Sequence, residues 1–203
     1  MFVRTVYVTG DPRKIDTAVR ALNTQGRDLL EDRPGYRGAG VFVDRELGKL
    51  FSVSWWDSEE SRRNSDEVMR ERRGGLLEPF AGTVAVHNYE VAVFHPVRQP
   101  RAGGGLRLSR LEFDPADTDL VADTFRATVL PQLEHLPGLA RTSLFVNRED
   151  GGGMVGALFV DRDSLAASRA VQAAARHEGA AKAHVDVVGL EEFEVVHADV
   201  HAG

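Results

Sequence analysis

The sequence predicts an α+β fold built from two tandem β-α-β-β-α-β repeats, and three observations carry that expectation. First, the chain is written twice. Pro34-Gly35 is answered by Pro137-Gly138, and Val41-Phe42-Val43-Asp44-Arg45-Glu46 by Leu144-Phe145-Val146-Asn147-Arg148-Glu149, at a common offset of 103 residues. Second, the hydrophobic period switches between two and about 3.6 in the same order in each half. Third, the strands carry apolar residues on both faces, so a lone sheet with helices on one side would leave an oily surface in water.

In the first half, Phe2 to Val8 alternates as a strand. Asp11-Pro12 opens a helix whose apolar positions Ile15, Ala18, Val19, Leu22, Leu29 and Leu30 share one face, and Pro34-Gly35 stops it. Tyr36 to Asp44 and Lys49 to Trp56 flank a short turn at Gly48, a hairpin signal. Asp57-Ser58-Glu59-Glu60 offers a cap and an acidic first turn to a second helix with Val68, Met69, Leu76 and Leu77 inward. Thr83 to Phe94 closes the half as a strand.

The second half repeats the order. Leu106 to Phe113 is a strand, Asp117 to Leu136 a helix, Leu139 to Asn147 and Met154 to Val160 a hairpin. An alanine-rich helix from Asp163 to about Lys182 and a strand from Val185 to Val196 complete it. The domains expected are residues 1–95 and 106–203, joined by a Pro-, Arg- and Gly-rich linker at 96–105. Each repeat has the ferredoxin-like plan of a four-stranded antiparallel sheet with both helices on one face. Two such sheets packed on one another would cover the surface each exposes.

Composition narrows the partners. The chain has 203 residues, no cysteine and a net charge of −6, which excludes disulfides, thiol nucleophiles and thiolate metal sites. The acidic balance argues against nucleic acid and anionic membrane as partners. With no long apolar run and no export signal expected, the reading is a cytoplasmic protein. Arg37-Gly38-Ala39-Gly40-Val41-Phe42-Val43 faintly echoes an RNA-recognition motif, but it lies on the second strand with Ala39 and Val41 where bases would stack. Gly151-Gly152-Gly153 reads as a hairpin turn, since it opens no helix. The arginines Arg62, Arg63, Arg70, Arg72 and Arg73, interleaved with Glu59, Glu60, Asp66, Glu67 and Glu71, read as a solvated helix face.

The polar-tipped aromatics are distributed unevenly. Tyr7, Tyr36, Tyr89, Trp55 and Trp56 all lie in the first repeat, whereas the ten phenylalanines divide equally. A large apolar face with one hydrogen-bonding group suits a pocket for a flat organic molecule. Tyr7, Tyr36, Trp55 and Trp56 are therefore the candidate substrate-binding residues, in a pocket expected between the sheet and helices of the first repeat. His87 lies two residues before Tyr89 on one strand, so both share a face; His87 is the candidate base and Tyr89 its catalytic neighbour. His197, Asp199 and His201 alternate and could project to one side as metal ligands, but they end the chain, and no metal is expected.

Pro34-Gly35-Tyr36, the hairpin through Val41 to Asp44 and above all Ser54-Trp55-Trp56-Asp57-Ser58-Glu59-Glu60 resemble the antibiotic biosynthesis monooxygenase family of the dimeric α+β barrel superfamily. The resemblance covers the chain as two fused copies, although Phe159-Val160-Asp161-Arg162-Asp163 lacks the tryptophan. It implies an intramolecular α+β barrel and a cofactor-independent monooxygenase acting on a small aromatic or polyketide-like molecule, with a non-catalytic binding or structural member as the alternative. Haem degradation is not implied. That branch needs an asparagine on the first strand and a tryptophan and histidine on the second helix, and here only His177 could serve. The fusion supplies the partner sheet, so a monomer acting as a pseudo-dimer, or a weak homodimer, is expected.

Overall fold

The computed structural model describes residues 1–200, without the side chains at positions 67, 68 and 71; His201 and the expected inward position of Val68 lie outside the described residues. Eight strands and two sets of helices follow the order read from the sequence. They are β1 (Phe2–Gly10), α1 (Ile15–Ala21), α2 (Arg27–Glu31), β2 (Tyr36–Asp44), β3 (Lys49–Trp56), α3 (Glu59–Leu77) and β4 (Ala81–Pro96). Then come β5 (Gly105–Glu112), α4 (Thr118–Thr124), α5 (Leu130–Leu133), β6 (Leu139–Val146), β7 (Gly152–Phe159), α6 (Arg162–Ala167), α7 (Arg169–Ala183) and β8 (Asp186–Val200).

The predicted first helix of each half is one helical run containing a π-helical turn, Leu22–Gly26 between α1 and α2 and Phe125–Val129 between α4 and α5. The alanine-rich helix is two, α6 and α7, because Ser168 at the junction turns its hydroxyl back onto the Leu165 carbonyl at 2.6 Å. Side-chain oxygens begin the helices as the sequence suggested. Ser58 accepts from Ser61 N at 3.1 Å and Asp161 from Ser164 N at 2.6 Å. The two Pro-Gly pairs turn the chain at Gly35 (φ 77°) and Gly138 (φ 75°). There a Cβ would lie 2.2 Å from Asp57 Oδ1 or Ser164 Oγ, so only glycine fits.

The described residues form two compact units, residues 1–88 with 195–200 and residues 89–194. The expected boundaries at 95 and 106 follow the sequence repeat, whereas the units cut through the closing strands β4 and β8, which at 16 and 15 residues outrun a single four-stranded sheet. In the first unit β3 lies between β1 and β2, with the start of β4 beside β1 and the end of β8 beside β2. In the second unit β7 lies between β5 and β6, with the start of β8 on β5 and the end of β4 on β6.

Each unit buries its own apolar layer between sheet and helices. In the first it comprises Val6, Val8, Val43 and Leu50 from the strands with Ile15, Ala18 and Leu77 from the helices. In the second it includes Leu111, Leu144 and Val146 with Val121, Phe125 and Ala183. No helix among the described residues is long and apolar enough to cross a membrane.

Candidate functional site

Strand alternation decides which side chains of the first unit meet the helices. Val6 and Val8 on β1 and Leu50 on β3 belong to the layer under α1 and α3. By the period of two, Arg4, Ser52, Ser54 and Trp56 share that side. Tyr7, opposite Phe51, and Trp55, opposite Val3, project to the other side. A cavity of about 90 Å3 opens on the helix side. Its walls include Val6, Leu22, Leu30, Met69 and Leu76, and its polar groups are Arg4, Arg73, Ser52 and Ser54 inside with Tyr36, Arg27, Glu31, His197 and Asp199.

The sequence located the cavity between the sheet and helices of the first repeat but not its polar lining. Of the four expected binding residues, Tyr36 lines it. Trp56 lies directly behind, fully buried, with its ring 5.6 Å from the Tyr36 ring in an edge-to-face contact. Its indole donates to Ser54 Oγ at 3.0 Å. Tyr7 and Trp55 stand on the opposite side of the sheet. His87 is exposed and Tyr89 buried, and neither lines the cavity. His197 and Asp199, which alternate as metal ligands could but with no metal expected, line its wall. Among the described residues no group of three His, Asp or Glu side chains could hold a metal ion.

Arg4 is the group that sequence reasoning missed. It is only 3% exposed, its guanidinium lies 5.8 Å from the centre of the Trp56 ring, and it donates to the Arg62 carbonyl. Arg4 Nε is 3.3 Å from Asp66 Oδ1, close enough for an ion pair, yet it makes no hydrogen bond among the described residues. Arg73 reaches the same carboxylate oxygen at 3.4 Å, and Arg62 is buried with Glu59 at 3.5 Å. Arg62 and Arg73 therefore depart from the expected solvated face, because α3 turns both toward β1. Arg4, Arg62 and Arg73 meet the carboxylates of Glu59 and Asp66 here, and Arg27, Glu31 and Asp199 are further charged groups at the cavity among the described residues. Burial, with Arg73 and Arg62 nearby, pulls the Arg4 pKa down to about 10 even though Asp66 opposes the shift. Arg4 stays charged at neutral pH. A signal was present: arginine sits in Phe2-Val3-Arg4-Thr5-Val6, between positions that alternate into the core, and again at Arg107, 103 residues on.

Two further groups have opposite characters. Desolvation pushes the Tyr36 hydroxyl up to about 12, so it remains a proton donor. Desolvation lowers the His197 pKa, partly offset by Asp199, so its imidazole is neutral at pH 7 and able to accept a proton. The rim is shaped by Gly38 (φ 138°), where β2 bulges against β3 and a Cβ would lie 2.2 Å from the Asp199 carbonyl oxygen. The close approach of β2 to the end of β8 is what brings His197 and Asp199 to the cavity.

No family profile matches the sequence. A Mycobacterium tuberculosis protein named uncharacterized protein Rv2557 is 27% identical over 169 residues, 83% of this chain and 75% of its own length. A second from the same organism, uncharacterized protein Rv2558, is 25% identical over 196 residues, 96% and 83% of the two chains. Among solved structures, a candidate monooxygenase from Fusobacterium nucleatum matches with a TM-score of 0.73 at 11% identity, covering 100% of this chain and 95% of that one. An anthrone oxidase-like protein matches with 0.72 at 14% identity and the same coverage. A candidate monooxygenase from Lactobacillus acidophilus matches with 0.69 at 10% identity, covering 96% and 92%. These likenesses show the fold, an α+β architecture as the sequence predicted.

Proposed function

We propose that the protein is a cofactor-independent monooxygenase whose first unit binds a small aromatic molecule with an acidic phenolic or enolic proton. One observation carries the reading: the buried Arg4, Arg73 and a neutral His197 line the same cavity, while Asp66, the carboxylate that the two arginines share, does not line it. Neutral His197 takes the proton, and the resulting anion is stabilised by Arg4 and Arg73 in surroundings that weaken electrostatic screening. Tyr36, held protonated, donates a hydrogen bond to the anion or to the peroxide it becomes. The electron-rich anion reacts with dioxygen; an activated CH2 becomes C=O, one oxygen atom entering the product and the other leaving as water. The substrate supplies all four electrons. Val6, Leu22, Leu30 and Leu76 exclude water from the reacting carbon.

Size refines the substrate. At about 90 Å3 the cavity is smaller than the ~150 Å3 engineered cavity that holds benzene. It takes the reacting edge of one ring, and any further rings lie at the mouth. The names of the anthrone oxidase-like and candidate monooxygenase neighbours agree with this chemistry, at identities of 14% and below. The test is oxygen uptake with a hydroxyanthrone after dialysis against chelator. Uptake should persist, and His197→Gln should lower kcat roughly 100-fold or more, the usual worth of a general base. Saturable binding without uptake would leave a binding protein, and loss of uptake on dialysis would overturn cofactor independence.

A further inference from the structure

The second unit has a cavity of its own, about 70 Å3, on the helix side of its sheet. The wall is apolar, with Leu111, Phe125, Val129, Leu133 and Leu144 prominent, and its polar groups are Ser109, Thr124, Gln172 and Arg176. Both cavities lie under a π-helical turn: Leu22 and Gly26 line the first, Phe125 and Val129 the second. Such turns widen a helix locally and recur at functional sites.

The polar chemistry of the two cavities differs. Arg107, the counterpart of Arg4, is absent from the second lining and is fully engaged. It holds Glu192 through Nε at 3.0 Å and Nη2 at 2.5 Å, the Leu165 carbonyl at 3.0 Å and Ser168 Oγ at 3.2 Å. The cation that reaches this cavity is Arg176, half-buried and without an ion pair or hydrogen bond among the described residues. At the position answering Tyr36 the chain has Leu139; downstream the offset is 104, with Tyr89-Glu90-Val91 facing Phe193-Glu194-Val195, and the position answering His197 is Val93. None of the residues lining the second cavity can take a proton near neutral pH.

We propose that this cavity is a second binding site, for a short aliphatic carboxylic acid of about three or four carbons, its tail inside and its carboxylate at the half-buried Arg176, which it holds without turning it over. A volume about half that of a benzene-sized cavity admits an apolar tail of about two or three carbons rather than a ring. The apolar body lies among Phe125, Val129, Leu133 and Leu144, and the carboxylate meets Arg176 in a charge-assisted hydrogen bond.

The probe is butanoate, followed by its own methyl resonance and by methyl NMR of the protein. Saturable shifts are expected at the methyls of Val129, Leu133 and Leu144. Arg176→Met should weaken them roughly tenfold or more, as loss of a charged hydrogen bond implies, with the fluorescence of Trp55 and Trp56 in the first unit unchanged. Gly179→Leu, whose Cβ would press on Val129 Cγ2 at 2.5 Å, should fill the space and abolish them. If that variant fails to fold, Val155→Leu serves the same purpose. A dry void with no shifts at these methyls, or shifts undiminished in Arg176→Met, would overturn the proposal. So would oxygen uptake surviving in His197→Gln and disappearing in Arg176→Met. The binding readouts decide the matter even if no oxygen is consumed at all.

Discussion

A buried arginine costs several kcal/mol to desolvate unless its partners repay it, and the two units repay it differently. Arg107 is saturated by Glu192, a serine hydroxyl and a carbonyl, whereas Arg4 shares Asp66 with Arg73 and leaves its Nε without a hydrogen bond. Arg4 is thus the better placed to answer an incoming anion. Arg4→Met should destabilise the fold by about 2 kcal/mol in urea, less than a fully uncompensated buried charge, because Asp66 is 28% exposed and keeps Arg73. It should also abolish binding of anionic ligands to the first cavity. His197 makes a separate prediction. Its folded pKa is depressed, so its neutral form is favoured by folding, and its stability contribution is complete above the unfolded value near 6.5. As pH falls below 6.5 the unfolded chain binds the proton first, and stability declines. The slope of Tm between about pH 6.5 and 5 should be shallower in His197→Gln than in the parent chain.

At the scale of elements, the strands were legible because their signals are local. Tyr36 to Asp44 and Lys49 to Trp56 were read to the residue from alternation and turn chemistry. What could not be read is register. The bulge between Tyr36 and Gly38 and the pairing of Trp55 with Val3 decide that Trp55 leaves the cavity side while Tyr36 and Trp56 stay near it. The π-helical turns carried no sequence signal either, since apolar spacing drifts by only a fraction of a turn across them. The bulge is testable. Gly38→Ala puts a Cβ at φ 138°, 2.2 Å from the Asp199 carbonyl, so it should cost about 2 kcal/mol or more and push the end of β8 away from β2. Loss of ligand binding to the first cavity should accompany the loss in Tm.

For the whole molecule, the repeat in the sequence and the units in the structure divide the chain at different places. The repeat was visible because duplicated motifs survive at constant spacing. The exchange of strand ends was not, because Tyr89 to Phe94 reads as strand whichever sheet it joins. Residues 89–96 belong with the second unit, where Tyr89 and Val93 are buried, and residues 195–200 belong with the first, where Val195 and Ala198 are buried. A chain cut in the loop between Pro96 and Gly105 would therefore leave each fragment without one strand segment of its unit and with one that belongs elsewhere. Fragments 1–100 and 101–203, expressed separately, should each show reduced helix and sheet content by circular dichroism and bind a hydrophobic dye. Their equimolar mixture should recover the parent spectrum and a cooperative transition, since the missing segments return with the partner. Two fragments that each unfold cooperatively alone, at the parent Tm, would mean that the boundaries at 95 and 106 are also the folding boundaries and that the exchanged segments contribute little to stability.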